Sequence, residues 1–351
     1  MVFPLSKIHG IQILRGIAAS FIVMLHCIFV YYSRVGPPDE MMARSGLFLG
    51  IGVDIFFVIS GFIMMLVSVG RHAGGIDFLI DRITRIAPNY WFYTMVLVLT
   101  GLALPSLLRA VDINVDAIAK SLLFIPFERP GGDIQPILGV GWTLNYEMFY
   151  YLIFSFLMRL PAWQKTLAMI AIFSGLFAVA VMADVGPVFG AFFGNTIVFA
   201  FVSGMALYLA VERWGRPRPA ASIVALALGL VIWLSTAGPW SPAWSARFLL
   251  WGVPASLMVY AALGLSPAGG RISSFLERLG DASYSLYLSH TFTITLLFVI
   301  WQRLGFASPP LFILAAFLAS IAAGFIAHRI IEVPLTQAAR RLIDTRRHRV
   351  A

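Results

Sequence analysis

Charge is scarce in this chain. Only 12% of its 351 residues are charged, and acidic residues are the scarcer kind, 16 against 25 Lys plus Arg, for a formal net charge of +9. With 60% hydrophobic residues and a mean hydropathy of +0.88, such a chain has too little polar surface to be an ordinary water-soluble globular domain. There is a single cysteine, Cys27, which excludes an intrachain disulfide and any cysteine-built metal site; no metal is expected. The chain has no G-x-S-x-G elbow, no H-E-x-x-H pair and no phosphate-binding glycine loop, so serine-hydrolase, zincin and P-loop chemistries find no support. No small-residue cleavage site follows the first apolar run, which is therefore expected to remain as a span. Internal repeats and low-complexity tracts are missing as well. The basic residues are scattered among short loops, so the positive balance gives no reason to expect nucleic acid.

What is present is a series of apolar runs long enough to cross a bilayer, about 20 residues each. They predict an all-α, polytopic membrane protein with about ten transmembrane helices in one integral-membrane domain over 1–351. The expected spans are 11–32, 46–68, 86–104, 138–158, 166–183, 189–211, 220–235, 248–265, 282–301 and 310–331. A polar connection covers 33–45, a charged loop precedes Pro88, and Pro88 opens the third span. The longest non-spanning piece is 105–136, with a short surface helix expected around 116–124. Ten spans put both termini on one side. Seven of the 25 basic residues (Arg34, Arg44, Arg109, Lys120, Arg129, Arg247 and Arg303) then fall on the other. That bias makes the termini cytoplasmic.

The first run, IQILRGIAASFIVMLHCIFVYY, carries Arg15 and His26. Ionisable groups inside a span are costly and mark a pathway or a reaction centre. Eleven residues are about three helical turns, so both side chains share one face, about 16 Å apart along the axis. A snorkelling arginine with a hydrogen-bonded histidine is the plain alternative. Asp54 and Glu147 lie at a level similar to His26 in the outer half of other spans. A carboxylate that fixes a histidine's tautomer makes it a general base; pairing of Asp54 and Glu147 with arginines is the competing reading. Arg82 and Arg85, three apart, share a helical face that suits a phosphate-rich ligand, or are ordinary positive-inside residues. Tyr284, Tyr287 and His290 form a polar stripe on the ninth span, which also suits helix–helix contact. Cys27 points about 100° away from His26 and is expected to pack.

Six stretches, in order, carry a resemblance: IQILRGIAA (11–19) with His26 eleven residues after Arg15, GVDIFFVISGF (52–62), DRITRIAPNY (81–90), WTLNYEMFYY (142–151), LGDASYSLYLSH (279–290) and EVP (332–334). Together they resemble the acyltransferase 3 family of integral-membrane acyltransferases, and within it bacterial exopolysaccharide O-acetyltransferases. Two positions depart from the family pattern: Gln12 stands where many members have an acidic residue, and Asp81 where they have a further arginine. The resemblance implies transfer of an acyl group, usually acetyl from cytoplasmic acetyl-CoA, to a saccharide or lipid-linked saccharide outside the cytoplasm, in a bacterial inner membrane. It implies catalytic roles for His26, Asp54 and Glu147, with Asp54 orienting His26. Donor binding is implied for Arg15, Arg82 and Arg85, and acceptor binding for Trp142, Tyr146, Tyr287 and His290. Membrane lipids surround such a protein, and homo-oligomer formation is left open. A transporter or flippase of a lipid-linked saccharide would use the same buried charges as a pathway, and a non-enzymatic assembly subunit would not need His26.

Overall fold

The computed structural model describes residues 8–35, 47–68, 74–103, 113–236, 243–265 and 269–350, the side chains of 344 and 346–350 excepted. Most of the connection expected at 33–45, the start of the charged loop at 69–73 and the start of the long loop at 105 lie outside these residues. Among the described residues the regular secondary structure is all helix, with one isolated bridge between Glu128 and Ile134.

The helices are α1 (His9–Val35), α2 (Ile51–Ser68, entered through a 3₁₀ turn at Leu47–Gly50), α3 (Gly75–Ala103), α4 (Val115–Leu122), α5 (Trp142–Phe156), α6 (Ala162–Met182) and α7 (Pro187–Phe193). They continue with α8 (Val198–Trp214), α9 (Pro219–Ser235), α10 (Val253–Gly264), α11 (Gly270–Asp281), α12 (Ser283–Arg303), α13 (Pro309–Ala327) and α14 (Val333–Val350). Among the described residues, seven helical stretches are long and apolar enough to cross a bilayer: His9–Val35, Leu47–Ser68, Gly75–Ala103, Ala162–Met182, Pro187–Trp214, Ser283–Arg303 and Pro309–Ile343. Pro219–Ser235 and Phe248–Gly264 are shorter apolar helices, and α5, which carries Glu147, has 15 residues. The protein is thus a multi-pass, all-helical membrane protein.

Several boundaries differ from the sequence expectation for local reasons. The third helix begins at Gly75, and Pro88 lies inside it, so Asp81, Arg82 and Arg85 are helical rather than in a loop. A proline removes a single N–H and crowds the carbonyl four residues back; here that residue is Thr84, whose Oγ1 turns back to Ile80 O at 2.8 Å. The expected span 189–211 is broken between Phe193 and Val198, where Asn195 Oδ1 accepts the Ile197 N–H at 3.0 Å. Residues 270–281, read from sequence as a connection, form the amphipathic helix α11. Two π-helical turns, Phe248–Gly252 and His328–Glu332, each stand directly before a Val-Pro pair. Pro254 and Pro334 would press on the carbonyls of Leu250 and Ile330, and the wider turn makes room for the ring.

Contacts divide the chain into two compact units, one of Met1–Arg71, Ala162–Ile170 and Asn195–Phe325, the other of His72–Pro161, Ala171–Gly194 and Ile326–Ala351. In the first, a core of Val23, Cys27, Tyr31, Leu286, Ile294, Phe298 and Phe312 joins α1, α12 and α13. The fully buried Cys27 is a packing residue there. Glycines set the approach of α1 to α11: a Cβ on Gly16 would lie 2.6 Å from Leu276 O, and one on Gly280 would meet Gln12 O. No larger residue fits either place, and the close crossing brings the start of α12 beside Arg15. In the second unit, Phe78 of α3 packs on Tyr151 and Phe154 of α5. The connection between α4 and α5 is stapled by Arg129, whose Nε donates to Gln135 O at 3.1 Å and whose Nη2 donates to Ile137 O at 2.9 Å and to Pro136 O. Burial pulls the Arg129 guanidinium below its ordinary value, and the Asp133 carboxylate opposes that shift.

Candidate active site

The first unit assembles the α1 pair expected from the sequence and supplies partners for both members. Arg15 Nη2 donates to Ser283 Oγ at 2.9 Å, and Nη1 reaches Gln12 Oε1 at 3.4 Å. Gln12, one turn back on α1, uses its amide oxygen as a neutral acceptor for the arginine. Three turns along, His26 Nδ1 lies 2.8 Å from the Ile22 carbonyl oxygen and 3.2 Å from His290 Nε2. The imidazole rings are 4.8 Å apart between centroids, tilted by 60°. His290 Nδ1 in turn lies 3.0 Å from the Leu286 carbonyl. Arg15 and His26 are therefore met by one helix, α12: Ser283 at its first residue, His290 two turns on.

These distances assign the protons. A carbonyl oxygen can only accept, so the contacts to Ile22 and Leu286 place a hydrogen on Nδ1 of each ring. In two neutral imidazoles His290 Nε2 is then a lone pair aimed at the His26 N–H, and His26 Nε2 is left with its own lone pair. His290 is completely buried, whereas His26 is only half-buried. The histidine with the unprotonated outer nitrogen is thus also the one with accessible surface.

Asp54 does not orient His26. Its carboxylate takes a two-pronged bond from Arg247, with Nη2 to Oδ2 at 2.7 Å and Nε to Oδ1 at 3.2 Å, and both side chains are buried, at 0% and 7% exposure. The guanidinium is flanked by the rings of Trp251 at 4.9 Å and Trp244 at 5.7 Å. A planar fork matched to a carboxylate in a dry interior is the arrangement that best offsets the desolvation of both charges, and it leaves Asp54 committed. Arg247, expected from the sequence as a loop cation, stands between Trp244 and Trp251 at the start of an apolar run, a setting that suits a buried guanidinium.

The remaining candidates lie in different surroundings. Tyr287 is one turn before His290, its ring 6.1 Å away. In the second unit, Arg82 is buried with its guanidinium 5.8 Å from the Phe78 ring centre, while Arg85 is exposed; the pair shares a helix but not a single solvent face. Glu147 accepts the hydroxyl of Tyr151 one turn on. Trp142 stands edge-on to Tyr146 at 5.9 Å, and Tyr146 stacks on Phe192 at 4.0 Å and donates to its carbonyl at 2.9 Å.

The sequence comparison identifies the class of this multi-pass helical protein with an arginine and a histidine on its first span. The chain belongs to the acyltransferase 3 family, whose acyltransferase domain matches residues 8–329. It is 34% identical over 302 residues to the exopolysaccharide production protein ExoZ of Rhizobium meliloti, covering 82% of this chain and 90% of that one. It is 27% identical over 308 residues to a protein of Komagataeibacter xylinus that carries the name membrane-bound transacylase BcsY, covering 82% and 73%. No solved structure matches the chain. The protein is an acyltransferase, which displaces the transporter and assembly-subunit readings.

Proposed function

We propose that the protein moves an acyl group, acetyl first among the choices, from cytoplasmic acyl-CoA to a hydroxyl of a saccharide, free or lipid-linked, outside the cytoplasm, with His26 as general base. The observation that carries this reading is the half-buried imidazole whose Nδ1 is engaged and whose Nε2 is a lone pair, in a chain of an acyltransferase family. The name of ExoZ favours a polysaccharide as acceptor. In the proposed step the acceptor hydroxyl gives its proton to His26 Nε2 as its oxygen bonds to the thioester carbonyl carbon. The carbon–sulfur bond then breaks, and the imidazolium returns the proton to the departing CoA thiolate. Ester and free thiol result, and the base is regenerated.

Donor binding is assigned to Arg15, Arg82 and Arg85, because guanidinium forks suit phosphate. Trp142, Tyr146 and Tyr287 are proposed on the acceptor side, and Glu147 as a catalytic carboxylate, on the strength of the motif resemblance alone. Arg82→Ala and Arg85→Ala should each weaken acyl-CoA binding about 10- to 100-fold, since a hydrogen bond to a charged group is worth about 1.5–3 kcal/mol, with little change in acceptor KM. Unchanged donor affinity in both variants, measured by calorimetry in detergent, would move the phosphate site off α3.

The reading also includes ten spans in one domain of the inner membrane, with cytoplasmic termini, supported by the bias of basic residues. In a Cys27→Ser background, single cysteines at Ser33 and Ala73 report it. A membrane-impermeant maleimide added to intact cells should label position 33 and spare position 73. Labelling of 73 alone would invert the topology and exclude an external acceptor.

A further inference from the structure

We infer that His290 is the positioning residue of this enzyme: a neutral hydrogen-bond acceptor that holds the Nδ1–H of His26 both at rest and when His26 carries the transferred proton. The inference rests on the acyl-transfer reading above, in which His26 is the base. Three contacts carry it. The Leu286 carbonyl at 3.0 Å requires a hydrogen on His290 Nδ1, the Ile22 carbonyl at 2.8 Å requires one on His26 Nδ1, and His290 Nε2 lies 3.2 Å from that same nitrogen. Only one arrangement of two neutral rings satisfies all three, and in it the His290 lone pair faces the His26 N–H.

Burial separates the roles. His290 has no accessible surface, so it acts through His26 rather than on a substrate, in contrast to the acceptor-binding role implied by the motif. The Ile22 carbonyl belongs to the same helix as His26 and moves with it; His290 is fixed on α12, which is itself tied to α1 through Ser283 and Arg15. The contact across helices therefore sets the ring's orientation relative to the rest of the unit. Using an imidazole has a physical reason. A carboxylate in this position would bury a charge in the resting enzyme, which a span tolerates poorly. Two neutral rings bury none, yet a lone pair is already aimed at the N–H whose bond strengthens when His26 becomes cationic.

The test combines kinetics with nitrogen-15 NMR of histidine-labelled protein in detergent. His290→Phe keeps a ring of similar size and removes the lone pair. It should lower kcat about 100-fold, leave both KM values within about twofold, and shift the His26 Nδ1 resonance, because the N–H is then left to the Ile22 carbonyl alone. His290→Gln, whose side-chain oxygen can accept the same N–H, should recover most of the lost kcat and keep the tautomer, and it decides the matter alone if the Phe variant does not insert. Wild-type kcat in His290→Phe, or an unchanged His26 Nδ1 resonance there, overturns the inference. So does a His290→Gln enzyme as inactive as His26→Ala. His26→Ala distinguishes the two levels: if it is inactive while His290→Phe is normal, only this inference falls; if it turns over normally, the base assignment falls with it.

Discussion

His26→Ala is expected to abolish measurable acyl transfer while the protein still inserts and binds acyl-CoA. A positioned general base contributes about 10²- to 10⁴-fold, equivalent to about 3–5 kcal/mol of barrier, so kcat falls into that range or below detection. Folding survives because His26 is half-buried and its carbonyl partner, Ile22 O, belongs to the helix's own hydrogen-bond ladder. The acceptor left behind, His290 Nε2, costs about 1–3 kcal/mol, which the packed face of Val23, Cys27 and Tyr31 can absorb. Turnover of the purified variant, with donor affinity measured beside it, is the readout. Wild-type turnover would remove His26 from the chemistry.

The second large effect is on stability. Asp54→Ala leaves the Arg247 guanidinium buried without its carboxylate, and removing one partner of a buried pair costs about 3–5 kcal/mol. Thermal unfolding in detergent should show that loss, and Arg247→Met alone should show a similar one, because Asp54 is then the stranded charge. The double variant Asp54→Ala, Arg247→Met strands nothing and should be more stable than either single variant, giving a coupling energy well above the scatter of independent sites. Additive losses would mean that the pair contributes only two separate contacts. The same series bears on catalysis: a stabilised double variant with near-normal kcat is the outcome expected of a residue that supports the fold and does not touch His26.

The Arg15–His26 relationship was legible in the sequence because it is local: a continuous apolar helix fixes spacing and face by its own geometry. The multi-pass architecture was legible for the same reason, each span being a property of one stretch of chain. Partners were not. His26 meets His290 across 264 positions, and Asp54 meets Arg247 across 193, and no pattern within either segment says which span lies beside which. Given three buried ionisable groups at a similar depth, a His–carboxylate pair is the economical guess from sequence. It fails because Arg247, placed by sequence in a loop, lies buried at the start of the helical run before Pro254 and claims the carboxylate. The interruption of the expected 189–211 span was readable in Gly194-Asn195, a pair that favours turns. The long start of α3 was obscured by Pro88, read as a beginning when it is an interior residue.

Acylation of a surface saccharide through His26 is tested by mass spectrometry of surface polysaccharide from cells lacking the protein, complemented with either the wild type or His26→Ala. Base-labile acyl groups are expected on the saccharide only with the wild type, and none in the deletion or the His26→Ala strain. Equal acylation in all three would contradict it.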